Sequence, residues 1–248
     1  IDGCVTLHYN FPLGVTTIGR VVTPGRGKEM IIASTTGSSD TDRTNSLVKN
    51  TIYGISTAKA IGIEKPTVGI LNIDGANPAG RKLKKLIENG YEINFSESAR
   101  EDGGITMRGN DLLQGTPDIM VTDTLTGNLL IKMFSSFTTG GSYESVGYGY
   151  GPCAGGCYKP IVSIISRASG APVIVNAIRY TADVVGSDLR KIEADEMKMA
   201  GKAGLAELLA PVVEQKQAVD EDVKEPAKKI VDQGIPGIDI LEIEDAKL

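Results

Sequence analysis

GTPDIMVTDTLTGNLLIK, residues 115–132, is the stretch that decides the fold class of this chain. After a Thr-Pro pair, residues 118–122 form the short apolar run that is typical of a buried strand in a parallel sheet. Turn and helix-capping residues follow at 123–128, and residues 129–134 have the spacing of an amphipathic helix. A strand therefore ends where a helix begins, which is the repeating unit of an α/β protein.

The junction between this strand and this helix is a candidate anion site. The first N–H groups of a helix lack partners inside the helix, and the helix dipole favours negative charge beside them. Donor side chains and a lysine surround these groups, and the candidates are Thr124, Thr126, Gly127, Asn128 and Lys132. They suit a phosphate or the oxyanion of an acyl-transfer intermediate, although an ordinary capped helix with no ligand would use similar residues.

The same order of strand, loop and helix precedes this stretch twice. Each unit has a short apolar strand, a loop rich in turn residues and an amphipathic helix; the ranges are 28–34, 35–42 and 46–61, then 67–73, 74–78 and 81–89. We therefore predict an α/β fold with three layers, in which helices cover both faces of a parallel or mixed sheet.

Ligands of such sheets bind at the carboxyl ends of the strands. The loops that follow the predicted strands are therefore expected to converge: 8–14, 35–42, 74–78 and 123–128. The hydroxyl-rich loop adds further candidates for binding phosphate or an oxyanion, and these are Thr36, Gly37, Ser38 and Ser39.

Cysteine and histidine supply the candidate catalytic groups. Cys153 and Cys157 lie in the glycine-rich segment GYGYGPCAGGCYKP, residues 147–160, whereas Cys4 and His8, the one histidine, lie near the first residue. A thiol near helix N-termini is a candidate nucleophile, and a histidine can lower its pKa or carry a proton. Structural thiols and a structural histidine would fit the same pattern. The spacing of the cysteines differs from that of zinc motifs, so no metal is expected.

The composition describes a globular chain with an acidic carboxyl-terminal region. Of 248 residues, 41% are hydrophobic and 23% are charged, and no apolar run approaches the roughly 20 residues of a membrane span. From Asp188 onward there are 9 Lys and Arg against 15 Asp and Glu, which leaves 17 and 16 for the first 187 residues. A neutral body with 5% aromatic residues gives no sign of nucleic-acid binding. Three cysteines do not make a disulfide framework, which favours a reducing cytoplasm.

Four segments carry a resemblance to a known family: IDGCVTLHYN at 1–10, TVGILNIDG at 67–75, GNDLLQGTPDIMVTDTLTGNLLIK at 109–132 and SGAPVIVNAIRYT at 169–181. Together they resemble the phosphate acyltransferases of phospholipid synthesis, which move an acyl group from a carrier protein to phosphate. Several motifs in order are more specific than any one of them. The resemblance implies an isocitrate/isopropylmalate dehydrogenase-like architecture for residues 1–187, with the amino-terminal segment of that family missing. Residues 188–248 are expected to form an acidic helical extension.

Other segments depart from that family. Residues 7–11 stand where the acyltransferases have a Ser-Ala-Gly-Asn-Thr-Gly loop, and residues 32–39 replace their Leu-Asp-Val-Gly-Ala-Asn loop. The cysteines of residues 147–160 and the acidic tail are additional. In these departures the chain is similar to a related family, the alpha subunits of component C of the glycine/sarcosine/betaine reductase complexes.

The resemblance to these subunits implies a reaction and its partners. A two-carbon unit would come from the carboxymethylated selenoprotein A, be held as an acetyl thioester on a cysteine, and leave as acetyl phosphate. Phosphate would be a substrate, no cofactor would be bound, and the partners would be the beta subunit of component C and selenoprotein A, with a homo-oligomer as a further arrangement. Two alternatives stay open: a phosphate acyltransferase that uses carrier protein or coenzyme A without a protein thiol, and a scaffold subunit without catalysis.

Overall fold

The computed structural model describes residues 1–101, 103–156 and 159–211. Within these ranges the strands are β1 Gly3–Thr6, β2 Val15–Val22, β3 Glu29–Ser38, β4 Thr67–Leu71, β5 Asn94–Phe95, β6 Thr106–Met107, β7 Ile119–Val121, β8 Gly151–Ala154 and β9 Ile161–Ile164. The α-helices are α1 Arg43–Ala60, α2 Ala76–Glu88, α3 Gly109–Gln114, α4 Thr124–Ser136, α5 Ala171–Gly186, α6 Leu189–Lys202 and α7 Leu205–Leu209, and a 3₁₀ turn at Phe137–Thr139 follows α4.

The strands form one mixed sheet in the order β1-β9-β8-β2-β3-β7-β4-β5, with β6 also beside β4. β3, β7, β4, β5 and β6 are parallel to one another, and β1 is parallel to β9. β2 and β8 are antiparallel to their neighbours, so β1 and β9 run opposite to β3. The direction of the sheet therefore reverses across β2 and β8.

Alternate residues of β3 face two hydrophobic cores. Ile31 and Ala33 pack with apolar residues of α1 and α2 on one face, whereas Met30 and Ile32 pack with residues of α4 on the other. This alternation is what a strand buried on both faces requires. The predicted fold class, a mixed α/β sheet with helices on both faces, is confirmed.

The predicted junction of strand and helix is present as β7 and α4. The helix begins at Thr124, earlier than the apolar spacing indicates, because Asp123 caps it. Its carboxylate accepts the backbone N–H of Thr126 at 2.9 Å and the hydroxyl of the same residue at 2.7 Å. This cap satisfies one of the backbone N–H donors that the first turn leaves unpaired, so the helix starts directly after the strand.

The compact unit extends from Ile1 to Ala210 and includes α6 and α7. Glu196 of α6 forms an ion pair with Lys59 of α1 and accepts the hydroxyl of Tyr91 at 2.8 Å. The predicted boundary between residues 187 and 188 falls between α5 and α6. The division of the chain into two domains at this point stays a prediction. Residues 212–248, the rest of the predicted acidic extension, lie outside the described residues.

None of the helices in the described part of the chain combines the length and the apolar character that crossing a membrane requires.

Asp111 at the start of α3 organises the loop that connects β5 to this helix. Its carboxylate accepts the hydroxyl of Ser98 at 2.7 Å, the backbone N–H groups of Ala99 and Arg108 at 2.7 and 2.9 Å, and the hydroxyl of Thr116 at 3.0 Å. Burial by itself would raise the pKa of this carboxyl, but the four donors outweigh it and hold the pKa below its ordinary value.

Replacing Asp111 with Asn should lower the free energy of unfolding at pH 7 by about 1–3 kcal/mol, because it removes the charge that four donors stabilise. Since the folded pKa is lowered, the carboxylate contributes fully above its unfolded pKa of about 3.9 and less as the pH falls towards the folded pKa. Urea unfolding at pH 7 and pH 3 measures both effects. The exposed Asp195→Asn variant is the control, and equal stability of D111N and wild type at pH 7 would contradict the assignment.

Candidate active site

A cavity of about 240 Å³ lies where the sheet changes direction, beside α4. β1 and β9 end at this cavity, and β3 bends towards it. The residues that line it are Leu7, His8, Tyr9, Thr36, Asn128, Lys132, Tyr150, Ile164, Ile165, Ser166 and Arg167. Four of them are predicted site residues from three separate segments, which the fold therefore brings together: His8, Thr36, Asn128 and Lys132.

The bend in β3 places Thr36 at the cavity. Thr16 of β2 pairs with Gly37 and Ile18 pairs with Ala33, so three residues of β3 lie opposite a single residue of β2. A bulge of this kind bends the strand and redirects its side chains. The hydroxyl of Thr36 is buried and has no hydrogen-bond partner among the described residues. An unpaired buried hydroxyl costs about 1–3 kcal/mol, so this group is a candidate to bind a ligand.

α4 contributes Asn128 and Lys132, which lie on one side of the helix because they are four residues apart. The side-chain amide of Asn128 donates to the backbone carbonyl of Thr35 at 3.0 Å. The ammonium of Lys132 donates to the hydroxyl of Tyr150 at 2.8 Å and lies 4.7 Å from the centre of that ring. Two of the three ammonium donors therefore stay available for an anion.

The ends of β1 and β9 contribute His8 and Arg167. The two strands are parallel neighbours, so the segments after them leave the sheet at the same edge. Both side chains are exposed at the cavity. Arg167, Tyr150 and Ser166 are absent from the predicted site. For Arg167 the signal is a basic residue directly after the strand predicted at 161–166, which the rule for carboxyl ends of strands would have included.

The cavity lining is cationic. It carries Lys132, Arg167 and a histidine, and among the described residues that line it none is Asp or Glu. Two fixed positive charges around a small space attract a dianion such as phosphate, and hydroxyl and amide groups supply neutral donors.

The other predicted anion-binding residues do not line this cavity. The hydroxyl of Ser39 donates to Asn50 at 2.7 Å, that of Ser38 donates to the carbonyl of Asp40 at 2.8 Å, and that of Thr126 donates to Asp123 at 2.7 Å. Gly37 has a φ of 77° and approaches the backbone of Val15 closely. Thr124 and Gly127 lie in the first turn of α4, and their role in anion binding stays a prediction.

The capped end of α4 has a physical reason to lie apart from the cavity. The carboxylate of Asp123 occupies the N-terminus of the helix, where it accepts two hydrogen bonds. A negative side chain at this position competes with a bound anion for the same N–H groups. The cavity therefore meets the side of the helix one turn further on, at Asn128 and Lys132.

The two described thiols have different environments. Cys4 is exposed on β1, whereas Cys153 of β8 is fully buried. The sulfur of Cys153 accepts a hydrogen bond from the guanidinium of Arg190 at 2.9 Å and one from the backbone N–H of Val162 at 3.3 Å. Cys4 pairs with the same Val162 across β1 and β9, so one residue separates the two cysteines. Cys157 lies outside the described residues, and neither Cys4 nor Cys153 lines the cavity.

Within the described parts of the chain, His, Cys, Asp and Glu side chains do not gather in a group of three that could hold a metal ion.

Comparison with known proteins places this chain in a family. Over its whole length the chain is 55% identical to the glycine/sarcosine/betaine reductase complex component C subunit alpha of Peptoclostridium acidaminophilum, and it covers 65% of that subunit. It is 24% identical to the phosphate acyltransferase of Staphylococcus haemolyticus over 93% of this chain and 71% of that enzyme. A branched-chain phosphotransacylase structure from Enterococcus faecalis aligns at 18% identity and a TM-score of 0.46, covering 70% of this chain and 66% of that one.

The matches to the reductase subunit and to the phosphate acyltransferase of Staphylococcus haemolyticus confirm the resemblance predicted from the motifs. The chain spans about two thirds of the length of the reductase subunit. A further match, at 33% identity, is to the phosphate acyltransferase of Lysinibacillus sphaericus and covers 39% of this chain and 28% of that enzyme. Residues 1–248 match the family described as fatty acid synthesis protein. The chain belongs to the fatty acid synthesis protein family.

Proposed function

We propose that this chain acts in a glycine/sarcosine/betaine reductase complex and releases an acetyl group from a cysteine thioester to phosphate, forming acetyl phosphate. The observation that carries the proposal is the small cationic cavity, in which Thr36, Asn128, Lys132 and Arg167 surround a space that no acidic residue of the described part of the chain lines. The identity to a reductase subunit over the whole chain supports the choice of complex.

The reaction exchanges one bond for another. A phosphate oxygen attacks the thioester carbonyl, a tetrahedral oxyanion forms, the carbon–sulfur bond breaks, and acetyl phosphate and a thiolate leave. Lys132 and Arg167 would balance the charge of phosphate and hold it in line, and the hydroxyl of Thr36 would donate to the oxyanion. His8 would return a proton to the thiolate.

The candidates in this chain for the thiol that carries the acetyl group are Cys4, Cys153 and Cys157, and a cysteine elsewhere in the full-length subunit is a further candidate. The exposure of Cys4 supports access to a large acyl donor. The two N–H donors at the sulfur of Cys153 would stabilise a thiolate, but its burial means that β8 or its neighbours would have to move for acylation. Phosphate is proposed as a substrate, with no resident metal or cofactor.

A second candidate is a phosphate acyltransferase that takes carrier-protein or coenzyme A thioesters directly. The absence of Cys4 and Cys153 from the cavity lining favours it, because a thioester that arrives on the donor needs no protein thiol. The likeness to the phosphate acyltransferase of Staphylococcus haemolyticus is consistent with this chemistry.

A row of exposed apolar side chains along α4 and the 3₁₀ turn after it supports a protein partner. Leu125, Leu129, Met133 and Phe137 follow at intervals of four residues, and each is more than half exposed. Surfaces this apolar are typical of permanent subunit contacts rather than of transient ones. We therefore assign the row to the beta subunit of component C, with selenoprotein A as the transient acetyl donor and the reducing cytoplasm as the compartment.

Alkylation and serine substitution test the thioester step. In the full-length subunit within its complex, iodoacetamide should abolish arsenolysis of acetyl phosphate, and one of Cys4→Ser, Cys153→Ser and Cys157→Ser should do the same while the protein stays folded. A Ser hydroxyl is a far weaker nucleophile than a thiolate, so the loss should be complete. Full activity in all three variants would overturn the thioester mechanism for the cysteines of this chain and favour direct acyl transfer.

Removing one cation tests the phosphate site. Lys132→Met should raise the KM for phosphate roughly 10- to 100-fold, because a hydrogen bond from a charged group contributes about 1.5–3 kcal/mol. Steady-state kinetics of the complex measure this effect, and the exposed Lys84→Met on α2 is the control for a lost surface charge. An unchanged KM in K132M would mean that phosphate binds elsewhere.

The assignment of the apolar row predicts a change in assembly. The double variant Leu129→Glu/Met133→Glu should lose copurification of the full-length subunit with the beta subunit, because it places two charges in an apolar contact. Met199→Glu, a partly exposed apolar position on α6, should not. If the double variant instead separates copies of this chain and still binds the beta subunit, the row joins two copies and the assignment is wrong.

A further inference from the structure

Behind the cavity lies a buried carboxylate that the proposed reaction does not use. Glu144 is 2% exposed, and its two oxygens accept one hydroxyl each. The hydroxyl of Tyr150 donates to Oε1 at 2.7 Å, and the hydroxyl of Ser169 donates to Oε2 at 2.5 Å. None of the ion pairs among the described residues includes Glu144. Burying a charged group among neutral groups costs free energy, so the hydrogen bonds that stabilise this carboxylate indicate its role in the fold.

One hydroxyl leads from Glu144 to Lys132, and the other leads to the backbone turn that carries Arg167. The oxygen of Tyr150 accepts a hydrogen bond from the ammonium of Lys132 at 2.8 Å. The oxygen of Ser169 accepts the backbone N–H of Ser166 at 3.0 Å, and Ser166 in turn accepts the N–H of Ala168 at 3.0 Å. These bonds close the turn that presents Arg167.

The chemistry of the carboxylate determines which groups donate and which accept in both series of hydrogen bonds. An ionised carboxylate accepts hydrogen bonds and cannot donate them. Both hydroxyls must therefore point their hydrogens at Glu144, which leaves their oxygen lone pairs for Lys132 and for the turn. Burial and Glu144 raise the pKa of Tyr150, so its hydroxyl keeps the proton that it donates. Without the carboxylate both hydroxyls would be free to rotate.

The backbone of Glu144 is attached to the same turn. Its N–H donates to the carbonyl of Ala168 at 2.8 Å, and its carbonyl accepts the N–H of Gly170 at 2.8 Å. A Cβ at Gly170 would lie 2.8 Å from the ring of Tyr143 and 2.9 Å from the carbonyl of Glu144, so the two segments are in close contact. A shift of Glu144 would therefore move the turn with it.

We infer that Glu144 is a positioning residue that aims both cations of the cavity at phosphate, Lys132 through Tyr150 and Arg167 through Ser169. This inference rests on the proposed function, because it takes phosphate to be the anion that Lys132 and Arg167 bind. Glu144 touches neither phosphate nor the acyl group.

Phosphate binding to the full-length subunit, measured by titration calorimetry, tests this arrangement apart from catalysis. Tyr150→Phe removes the hydrogen bonds that connect Glu144 to Lys132, and Ser169→Ala removes those that connect it to the turn carrying Arg167. Each variant should raise the Kd for inorganic phosphate about 3- to 10-fold. Glu144→Gln, whose amide cannot accept from both hydroxyls in the same way, should have the larger effect. In the Lys132→Met background, Tyr150→Phe should change the Kd less than twofold, because its partner is gone.

Tyr91→Phe is the matched control. Tyr91 donates to the buried Glu196, which also binds a lysine, and neither residue lines the cavity. It should lower the melting temperature without changing the Kd. If Glu144→Gln and Tyr150→Phe behave like Tyr91→Phe, or if the wild type does not bind phosphate, the inference is overturned. If phosphate binding responds as expected but no thioester is turned over, the proposed reaction fails and the positioning role stands.

Discussion

The close contact between α4 and β3 is the constraint on which the rest of the site depends. A Cβ at Gly127 would lie 1.8 Å from the carbonyl oxygen of Ser34, so this position admits no side chain while the helix keeps its place. Because the helix backbone lies directly on the bulge of β3, Asn128 reaches the carbonyl of Thr35. One turn further along, Lys132 reaches Tyr150. A single glycine therefore lets the helix bring Asn128 against the strand that supplies Thr36 and, one turn further on, Lys132 against Tyr150.

The charges around the cavity are separated by a layer of hydroxyl groups. Lys132 and Arg167 face the open space, while the buried Glu144 lies behind Tyr150 and Ser169. Direct contact between the carboxylate and the ammonium would consume donors that an anion needs. With a hydroxyl between them, the carboxylate orients the cation, and the remaining ammonium donors stay available for an anion. Similar indirect orientation by a carboxylate is a general feature of sites that must hold a ligand in one geometry.

Cys153 connects the sheet to α6 as well as being a candidate nucleophile. Arg190 donates to its sulfur and to Glu193, and Glu193 accepts the N–H of Gly155 at 2.6 Å. Burial raises the pKa of Glu193, while Arg190 and Gly155 act against that rise. Acylation of this thiol would displace the guanidinium, so chemistry at Cys153 would also change the packing of α6. Acylation of the exposed Cys4 would leave these contacts in place.

The local sequence determined the fold class and most of the elements. Periodicity of apolar residues and capping residues such as Asp123 act over a few residues, so β7, α4 and the units before them were predictable, as was the candidacy of Thr36, Asn128, Lys132 and His8. Which of the candidates meet depends on strand order, on the reversal of direction across β2 and β8, and on the bulge in β3. None of these is encoded at short range. The tertiary structure alone decided three features, because each joins residues that are far apart in the sequence. They are the burial of Cys153, the place of Arg167 at the cavity, and the hydrogen bonds of Glu144 with Tyr150 and Ser169.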